Sequence, residues 1–191
     1  MDMTGGNYLN NQFIIAMPNL TDPIFFHTVT YMCQHNEEGA LGIVINRLAN
    51  MKLGDIFKQM NIPVGCQAAA EMPVFTGGPV QQHRGFVLHT NTEGMAWDMS
   101  LAVSDTISLT TSRDVIEAIA RGEGPDQYLV ALGYAGWAEG QLEKEILNNT
   151  WLSTPFGKDV LFNTSINMRW SAAAGQIGID INQLTAPAGH C

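Results

Sequence analysis

The sequence has 191 residues, of which 46% are hydrophobic and 14% are charged. This composition indicates a globular protein with a substantial core and excludes intrinsic disorder. Nine Lys and Arg residues against eighteen Asp and Glu residues give a net charge of −9. That charge disfavours direct binding to nucleic acid, which depends on basic side chains that neutralise phosphates.

The lack of recognisable targeting signals and the spacing of the cysteines predict a cytoplasmic protein. The polar start of the chain lacks the cationic and apolar regions of an export signal, and no apolar run approaches the ~20 residues of a membrane-spanning helix. The three cysteines, Cys33, Cys66 and Cys191, are widely spaced and form no CxxC pair. We therefore expect free thiols in a reducing compartment and no membrane association.

Hydrophobic periodicity predicts strands and helices along the whole chain. The chain order of the predicted elements is strands at 13–17, 28–34 and 40–46, a helix at 53–60, strands at 74–76, 85–90, 101–103 and 107–109, a helix at 114–121, a strand at 127–134, and helices at 141–149 and 166–177. Consecutive strands are mixed with βαβ units, which is typical of an α+β fold. We predict a single domain over 1–191, with a mixed, mainly antiparallel sheet flanked by helices. Residues 1–11 are predicted to form a flexible tail, and 61–72 and 91–98 to form long loops.

Two local motifs mark predicted helix starts. Thr111 and Asp114 have the spacing of a capping box, which predicts that Thr111 caps the helix at 114–121. Residues 132–141 contain three glycines between a strand and a helix, and such a turn can cradle an anion at the helix N-terminus. The spacing is not that of a nucleotide-binding motif, so the alternative is that these glycines only permit a tight turn beside Trp137.

Arginines near predicted strand edges suggest a cationic pocket on this acidic protein. Arg47, Arg84 and Arg113 lie at strand edges or in a first helical turn, and the Gly77-Gly78 turn lies between the first two. If these edges converge, the guanidinium groups would suit a phosphate or carboxylate. The alternative is that each arginine pairs with one of the many acidic residues.

Histidines and Cys33 are the candidates for acid-base or nucleophilic chemistry. Cys33 and His35 are two residues apart in an extended segment and should share a face, and His89 lies near the end of another predicted strand. The sequence has no HExxH, CxxC or GxSxG motif, so it predicts no metal site, no cofactor and no catalytic triad. A buried, unreactive cysteine is the alternative for Cys33.

Several blocks of residues in a fixed order resemble the AlgH/YqgE family of bacterial proteins. The blocks are 13–20, 22–25, Val29, Tyr31, Cys33, His35 to Ala40, Gly42 to Asn46, Gly77 to Pro79, 84–89, 110–115, 132–137, Gly140 to Glu143, Trp151-Leu152, Trp170 and Gly189-His190. The resemblance covers nearly the whole chain. It implies an α+β fold on a mixed sheet and a regulatory role, for which transcriptional control is one hypothesis, and it brings no catalytic residues or cofactor.

Three functions remain as hypotheses from the sequence. The first is a non-enzymatic module that binds a small anionic ligand or a protein partner, the second is an enzyme that uses Cys33, His35 and His89, and the third is a DNA-binding regulator. Self-association as a homo-oligomer is also open. The candidate ligand or interaction residues are His35, Asn46, Arg47, Gly77, Gly78, Arg84, His89, Arg113, Gly136, Trp137 and Gln141.

Overall fold

A computed structural model describes residues 7–185, which form an α+β fold, as predicted. The strands are β1 Gln12–Ala16, β2 Val29–Asn36, β3 Gly39–Val44, β4 Leu48–Lys52, β5 Pro73–Thr76, β6 Val80–Thr90, β7 Ser100–Ala102, β8 Ile107–Thr110, β9 Tyr128–Ala138 and β10 Trp151–Pro155. The helices are α1 Leu53–Gln59, α2 Gln67–Ala70, α3 Arg113–Arg121, α4 Gln141–Leu147, α5 Lys158–Phe162 and α6 Arg169–Gly175, with 3₁₀ turns at Ile166–Met168 and Gln183–Thr185.

Residue contacts divide the chain into two compact units. The outer unit contains the described residues up to Asn46 and those from Ala135 onward, and the inner unit is Arg47–Tyr134. Strand β9 contributes residues to both units. The interpretation of the chain as one domain stays a prediction.

The outer unit is built on antiparallel strands in the order β10-β1-β2-β3-β9. Its core includes buried side chains of these strands and of α4, among them Ile14, Met32 and Leu142. Helix α6 is joined to β1 by Trp170, whose indole Nε1 donates a hydrogen bond to the Ala16 carbonyl at 3.0 Å. Burial of this apolar surface is the main stabilising contribution.

The inner unit contains strands in the order β4-β5-β9-β6-β8-β7. The β5–β9 pair is parallel and the other pairs are antiparallel, which gives the mixed sheet that the sequence predicts. Helices α1 and α3 bury their apolar stripes in one core with residues of β5, β6 and β9. The stripes are Leu53, Ile56 and Phe57 in α1, and Val115, Ile116 and Ile119 in α3.

All the predicted strands and helices are present, but four short elements are not predicted from the sequence. Strand β4 has no apolar run and alternates between exposed and half-buried residues, and β10 contains Ser, Thr and Pro. Helix α5 has five residues, and α2 has four and lies inside the predicted loop 61–72. Elements of this length give too few repeats for a periodic signal. Residues 91–98 contain no strand or helix, as predicted.

The prediction of a glycine-rich strand-to-helix loop at 132–141 is wrong. Strand β9 continues to Ala138, because residues from Ala135 onward pair with β3, and only Glu139 and Gly140 connect it to α4. Gly136 and Trp137 are therefore strand residues, and they pair with Leu41 and Ala40.

The predicted capping box at α3 is also wrong. The residue before the helix is Ser112 rather than Thr111, and its hydroxyl caps no helix amide. Instead the Ser112 hydroxyl donates to Asp114 Oδ1 at 2.5 Å and accepts the Met99 N–H at 3.1 Å. A nearby loop thus competes for the side chain that would otherwise cap the helix.

The segment predicted as a flexible tail has ordered contacts where the structure describes it. The Asn11 N–H donates to the Met32 carbonyl at 2.9 Å, and Asn10 Oδ1 accepts the His35 N–H at 2.7 Å. Leu9 is 6% exposed. Residues 1–6 of that segment, and Cys191, lie outside the described residues. Within 7–185, no helix combines the length and the apolar character needed to cross a membrane.

Candidate functional site

Two of the predicted arginines line one cavity of about 620 Å³ in the inner unit. Strand β6 contributes His83, Arg84 and Gly85, and residues 110–113 come from the end of β8 and the start of α3. The volume lies within the range of ~300 to 1,000 Å³ that is typical of small-molecule pockets. Of the three arginines in the predicted cationic pocket, Arg84 and Arg113 therefore line one cavity and Arg47 does not.

Arg84 has only uncharged partners. Its side chain is exposed, Nη2 donates to Thr111 Oγ1 at 3.2 Å, and Nη1 lies 3.4 Å from Gln81 Oε1. The guanidinium carbon also lies 5.7 Å from the centre of the Phe86 ring. Within residues 7–185 it forms no ion pair, so its charge is not compensated by a carboxylate.

Arg113 is partly compensated and firmly positioned. Its Nε donates to Glu117 Oε1 at 2.5 Å, one turn along α3, and Nη2 donates to the Met60 carbonyl at 2.8 Å. The bond to Met60 joins the start of α3 to the end of α1. The alternative, that each arginine pairs with an acidic residue, thus holds for Arg113 and does not hold for Arg84.

The cavity wall is apolar and contains no carboxylate. The apolar lining residues are Met51, Ile56, Met60, Val87, Ile116, Val130 and Leu132, and the uncharged polar ones are Gln59, Gln82 and residues 110–112. Acidic residues outnumber basic ones two to one in the whole chain. Two arginines beside an apolar wall without Asp or Glu therefore form a local environment suited to an anion with an apolar body.

Asp114 lies in the first turn of α3, next to the lining residues. Desolvation tends to raise the pKa of its carboxyl group, but hydrogen bonds from the Ser112 hydroxyl and from the Asp98 and Val115 N–H groups outweigh this and lower the pKa. The carboxylate thus stabilises the loop and helix start that present Arg113.

The remaining predicted residues of the inner unit have structural surroundings. A Cβ atom on Gly77 would lie 2.3 Å from the Gly133 carbonyl oxygen, so this glycine permits a close approach of two backbones. Gly78 is in the positive-φ region, at 155°. The Arg47 carbonyl accepts the Thr76 N–H at 2.8 Å. The 620 Å³ cavity is not lined by Gly77, Gly78 or Arg47.

His89 lines a different cavity of the inner unit, with a volume of about 340 Å³. Its side chain is buried, Nδ1 donates to the Thr90 carbonyl at 3.0 Å, and Nε2 lies 2.7 Å from Thr110 Oγ1. Desolvation lowers the pKa of His89, with a smaller opposing effect of the Thr90 hydrogen bond. A neutral imidazole held by two neighbours is consistent with a structural role.

In the outer unit, His35 and Cys33 do not form a catalytic pair. His35 Nδ1 accepts the Leu9 N–H at 3.0 Å, so Nε2 carries the proton and donates to Glu143 Oε1 at 2.8 Å. Cys33 Sγ lies 3.6 Å from the Tyr31 carbonyl oxygen. Burial raises the pKa of the Cys33 thiol far above its usual range, so the thiol stays protonated and is a poor nucleophile.

The partly exposed Glu143 holds the buried side chain of His35. The hydrogen bond from its own backbone N–H and the hydrogen bond from His35 lower the pKa of Glu143, against a smaller effect of desolvation.

Asn46 also has a structural position. Its Oδ1 accepts the Val29 N–H and its Nδ2 donates to the His27 carbonyl, both at 2.9 Å, which fixes the start of β2.

Gly136, Trp137 and Gln141 line a third cavity, of about 280 Å³, in the outer unit. Its other lining residues are Leu20, Asp22, Phe25, Glu145, Thr150 and Trp151. Two carboxylates at this site disfavour the anion that the glycine-rich segment suggested. Among residues 7–185, no group of three His, Cys, Asp or Glu side chains has an arrangement that could hold a metal ion.

Comparison with known proteins identifies the family. The model of the AlgH-like family matches residues 13–182. The chain belongs to the AlgH-like family. It is 53% identical to a UPF0301 protein of Thioalkalivibrio sulfidiphilus, over 98% of this chain and 100% of that protein, and 52% identical to one of Methylococcus capsulatus, over 96% of both.

Solved structures give the same fold for this family. The solution structure of AlgH from Pseudomonas aeruginosa matches over 100% of both chains, with 42% identity and a TM-score of 0.79. A crystal structure of a Corynebacterium diphtheriae protein matches 98% of this AlgH-like chain with a TM-score of 0.74 and 16% identity, which shows the fold alone. None of these names states an activity.

Several residues of the cavities are not identified from the sequence. The sequence predicts Thr111 only as a helix cap, and it predicts no binding role for Phe25, Glu145 or Trp151. For Glu145 a signal exists, because it lies four residues after Gln141 and hence on the same helix face. Phe25 and Trp151 come from separate segments, and only the tertiary structure brings them to this cavity.

Proposed function

We propose that this AlgH-like protein is a non-enzymatic, cytoplasmic binding module whose inner unit holds a small amphipathic anion. The observation that carries the proposal is that Arg84 and Arg113 line one cavity whose other lining residues include no carboxylate. An anionic head group would lie between the arginines, and an apolar chain would contact the wall formed by residues such as Ile116 and Val130. A regulatory role follows if ligand occupancy changes binding to a protein partner.

Geometry supports Arg84 as the main anion contact. Its present partners are neutral oxygens at 3.2 and 3.4 Å, which are long for hydrogen bonds to a guanidinium group. A carboxylate or phosphate can replace these weak contacts without breaking an ion pair. Arg113 is held in place by Met60 and Glu117 and contributes positive charge at a fixed position.

The test uses thermal unfolding and calorimetry with octanoate and octyl phosphate, and with octanol as the uncharged analogue. We expect a saturable rise in Tm with one or both anions. Arg84→Gln should weaken the affinity about 10- to 100-fold, because it removes a charge-assisted hydrogen bond worth about 1.5 to 3 kcal/mol. A smaller loss is expected for Arg113→Gln, because Arg113 already pairs with Glu117.

The matched control is Arg121→Gln, at the other end of α3, where Arg121 pairs with Glu123 outside the cavity. This variant should keep the affinity of the unmodified protein. The proposal is wrong if neither anion gives a saturable shift, if octanol binds as tightly, or if Arg84→Gln and Arg121→Gln behave alike.

The enzyme and DNA-binding hypotheses have less support than this proposal. An enzyme based on Cys33, His35 and His89 has little support, since burial keeps the Cys33 thiol protonated. Direct DNA binding is disfavoured by the net charge of −9. The relation to YqgE proteins, the transcriptional role and the formation of homo-oligomers remain predictions from the resemblance and the sequence.

A further inference from the structure

The 280 Å³ cavity of the outer unit differs in chemistry from the arginine-lined cavity of the inner unit. Its lining combines the aromatic residues Phe25, Trp137 and Trp151 with the carboxylates of Asp22 and Glu145, and it contains no Lys or Arg. We propose that this cavity binds a small alkylammonium cation, with the aromatic rings and the two carboxylates as its recognition elements.

The three aromatic rings form a corner. The planes of Trp137 and Trp151 are inclined by 81° with ring centres 5.9 Å apart, and Phe25 is inclined by 83° to Trp151 at 5.5 Å. Phe25 lies 6.3 Å from Trp137. The planes of Phe25 and Trp137 are inclined by 35°, so two of the three ring pairs are edge-to-face and the third is tilted. The parts of these rings that line the cavity are the surfaces a cation would contact through cation–π interactions.

Glu145 orients both indoles and makes them better partners for a cation. Its Oε2 accepts the Nε1–H of Trp137 and that of Trp151, each at 2.8 Å, and its Oε1 accepts a bond from Gln141 at 3.0 Å. All three donors are neutral, so no basic side chain pairs with this carboxylate. Donation of an N–H to a carboxylate also polarises the indole toward a more negative ring.

Asp22 provides the second charge and holds Phe25. Its Oδ1 accepts the N–H groups of Ile24 at 2.8 Å and Phe25 at 3.1 Å. Among residues 7–185, neither Asp22 nor Glu145 forms an ion pair with a basic side chain. The two negative charges beside the rings are thus uncompensated within the described chain.

Cavity size limits the ligand. A volume of about 280 Å³ is just below the range of ~300 to 1,000 Å³ for pockets that take drug-sized ligands. Trp137 and Trp151 are 6% and 4% exposed, and Phe25 is half-buried. A compact head group such as trimethylammonium suits this space, and a large ring system does not.

The test is a titration with choline chloride followed by ¹H–¹⁵N spectra of the four indole N–H groups, at constant ionic strength. We expect saturable shifts of the Trp137 and Trp151 signals and none for Trp97 and Trp170. The carbon analogue 3,3-dimethylbutan-1-ol has the same shape without the charge, and we expect it to bind at least about tenfold more weakly.

Two substitutions test whether choline binds in this cavity, and both leave Trp137 and Trp151 unchanged. Phe25→Leu keeps apolar volume but removes a ring, and Asp22→Asn keeps the turn acceptor but removes the charge. Each should weaken choline binding about fivefold to tenfold, in line with the strength of a partly desolvated cation–π or charge contact. Phe26→Leu is the matched control, because the neighbouring ring stacks on His27 and does not line the cavity.

Three results would overturn the proposal. They are signal changes that rise linearly with choline and are reproduced by NaCl, equal binding of the uncharged analogue, and unchanged affinity in both variants. Thermal unfolding of each variant checks that it is folded. The anion site of the inner unit is tested by other probes and other variants, so either site can fail alone.

Discussion

The Glu145 carboxylate is the common acceptor of two buried indole N–H groups, those of Trp137 and Trp151. A buried donor without a partner costs about 1 to 3 kcal/mol. Glu145→Ala is therefore expected to lower the free energy of unfolding by about 2 to 5 kcal/mol, measured by urea denaturation. Glu145→Gln keeps an acceptor and should cost less.

Glu139→Ala is the matched control for this prediction, because Glu139 is an exposed acidic residue just before α4. It should change the free energy of unfolding by less than about 0.5 kcal/mol. Equal losses in Glu145→Ala and Glu139→Ala would show that the shared acceptor is not important for stability.

His89 gives the protein a pH-dependent contribution to stability. Desolvation lowers its pKa in the folded state, so at mildly acidic pH the unfolded chain binds more protons than the folded protein. Stability is then expected to fall as the pH decreases below the ordinary histidine pKa of about 6.5. Urea denaturation between pH 8 and pH 5 should show this slope, and His89→Gln should reduce it.

An independent measurement is the imidazole titration of His89 followed by NMR. A midpoint at or above the ordinary histidine value would contradict the argument from desolvation. His89→Gln also changes a buried contact, and that change shifts the free energy of unfolding by a similar amount at every pH. The slope of this free energy against pH therefore still reports the titration of His89.

At the scale of single elements, strand β9 depends on Gly133. This residue has φ of 76°, and a Cβ atom would lie 2.5 Å from the Gly78 carbonyl oxygen. Gly133→Ala combines a left-handed backbone, which costs about 1 to 2 kcal/mol, with a contact to backbone that cannot move aside easily. We expect a loss of at least about 2 kcal/mol in the free energy of unfolding.

Gly85→Ala in β6 is the control for Gly133→Ala. A Cβ atom at Gly85 has no heavy atom within 4 Å, so the change should stay within about 0.5 kcal/mol. If Gly133→Ala were as stable as Gly85→Ala, the close approach of β9 to the Gly77-Gly78 turn would not constrain the fold.

Helix α3 depends on Asp114 at its first turn. The lowered pKa of this carboxyl group means that its stabilising effect is present above the pKa of an unfolded aspartate and is lost as the pH falls through the folded-state pKa. Asp114→Asn should therefore cost about 0.3 to 1 kcal/mol at pH 7, the usual effect of an acidic side chain in the first turn of a helix, and the difference from the unmodified protein should shrink toward pH 3. A constant difference across this range would argue against the charge as the cause.

For the whole molecule, the net charge of −9 leads to a direct prediction about nucleic acid. Nonspecific DNA binding comes from basic residues that displace counterions, and it is strongest at low salt. We expect no mobility shift of duplex DNA at 50 mM salt and micromolar protein. A shift that weakens as salt is added would reverse this expectation and support direct transcriptional control.

Long elements of this AlgH-like fold were predictable, because stripes such as Leu53, Ile56 and Phe57 repeat often enough to show their period. The positions of Arg84 and Arg113 at element edges predicted that they line one site, but the same argument included Arg47, which does not line the cavity. The continuation of β9 past Gly136 was not predictable, since it is fixed by pairing with β3 nearly a hundred residues earlier. The cavity around Phe25 and Trp151 depends on tertiary packing in the same way.

The inner unit, Arg47–Tyr134, interrupts the chain of the outer unit, and this has a consequence for biosynthesis. The ribosome synthesises a protein from its N-terminus. All strand residues of the inner unit are therefore made before β10. Strand β1 pairs with β10, where Gln12 lies opposite Pro155, and this edge stays open until then. During translation the inner unit can complete its sheet first, while β1 with its neighbours β2 and β3 is the segment that nascent-chain chaperones would need to protect.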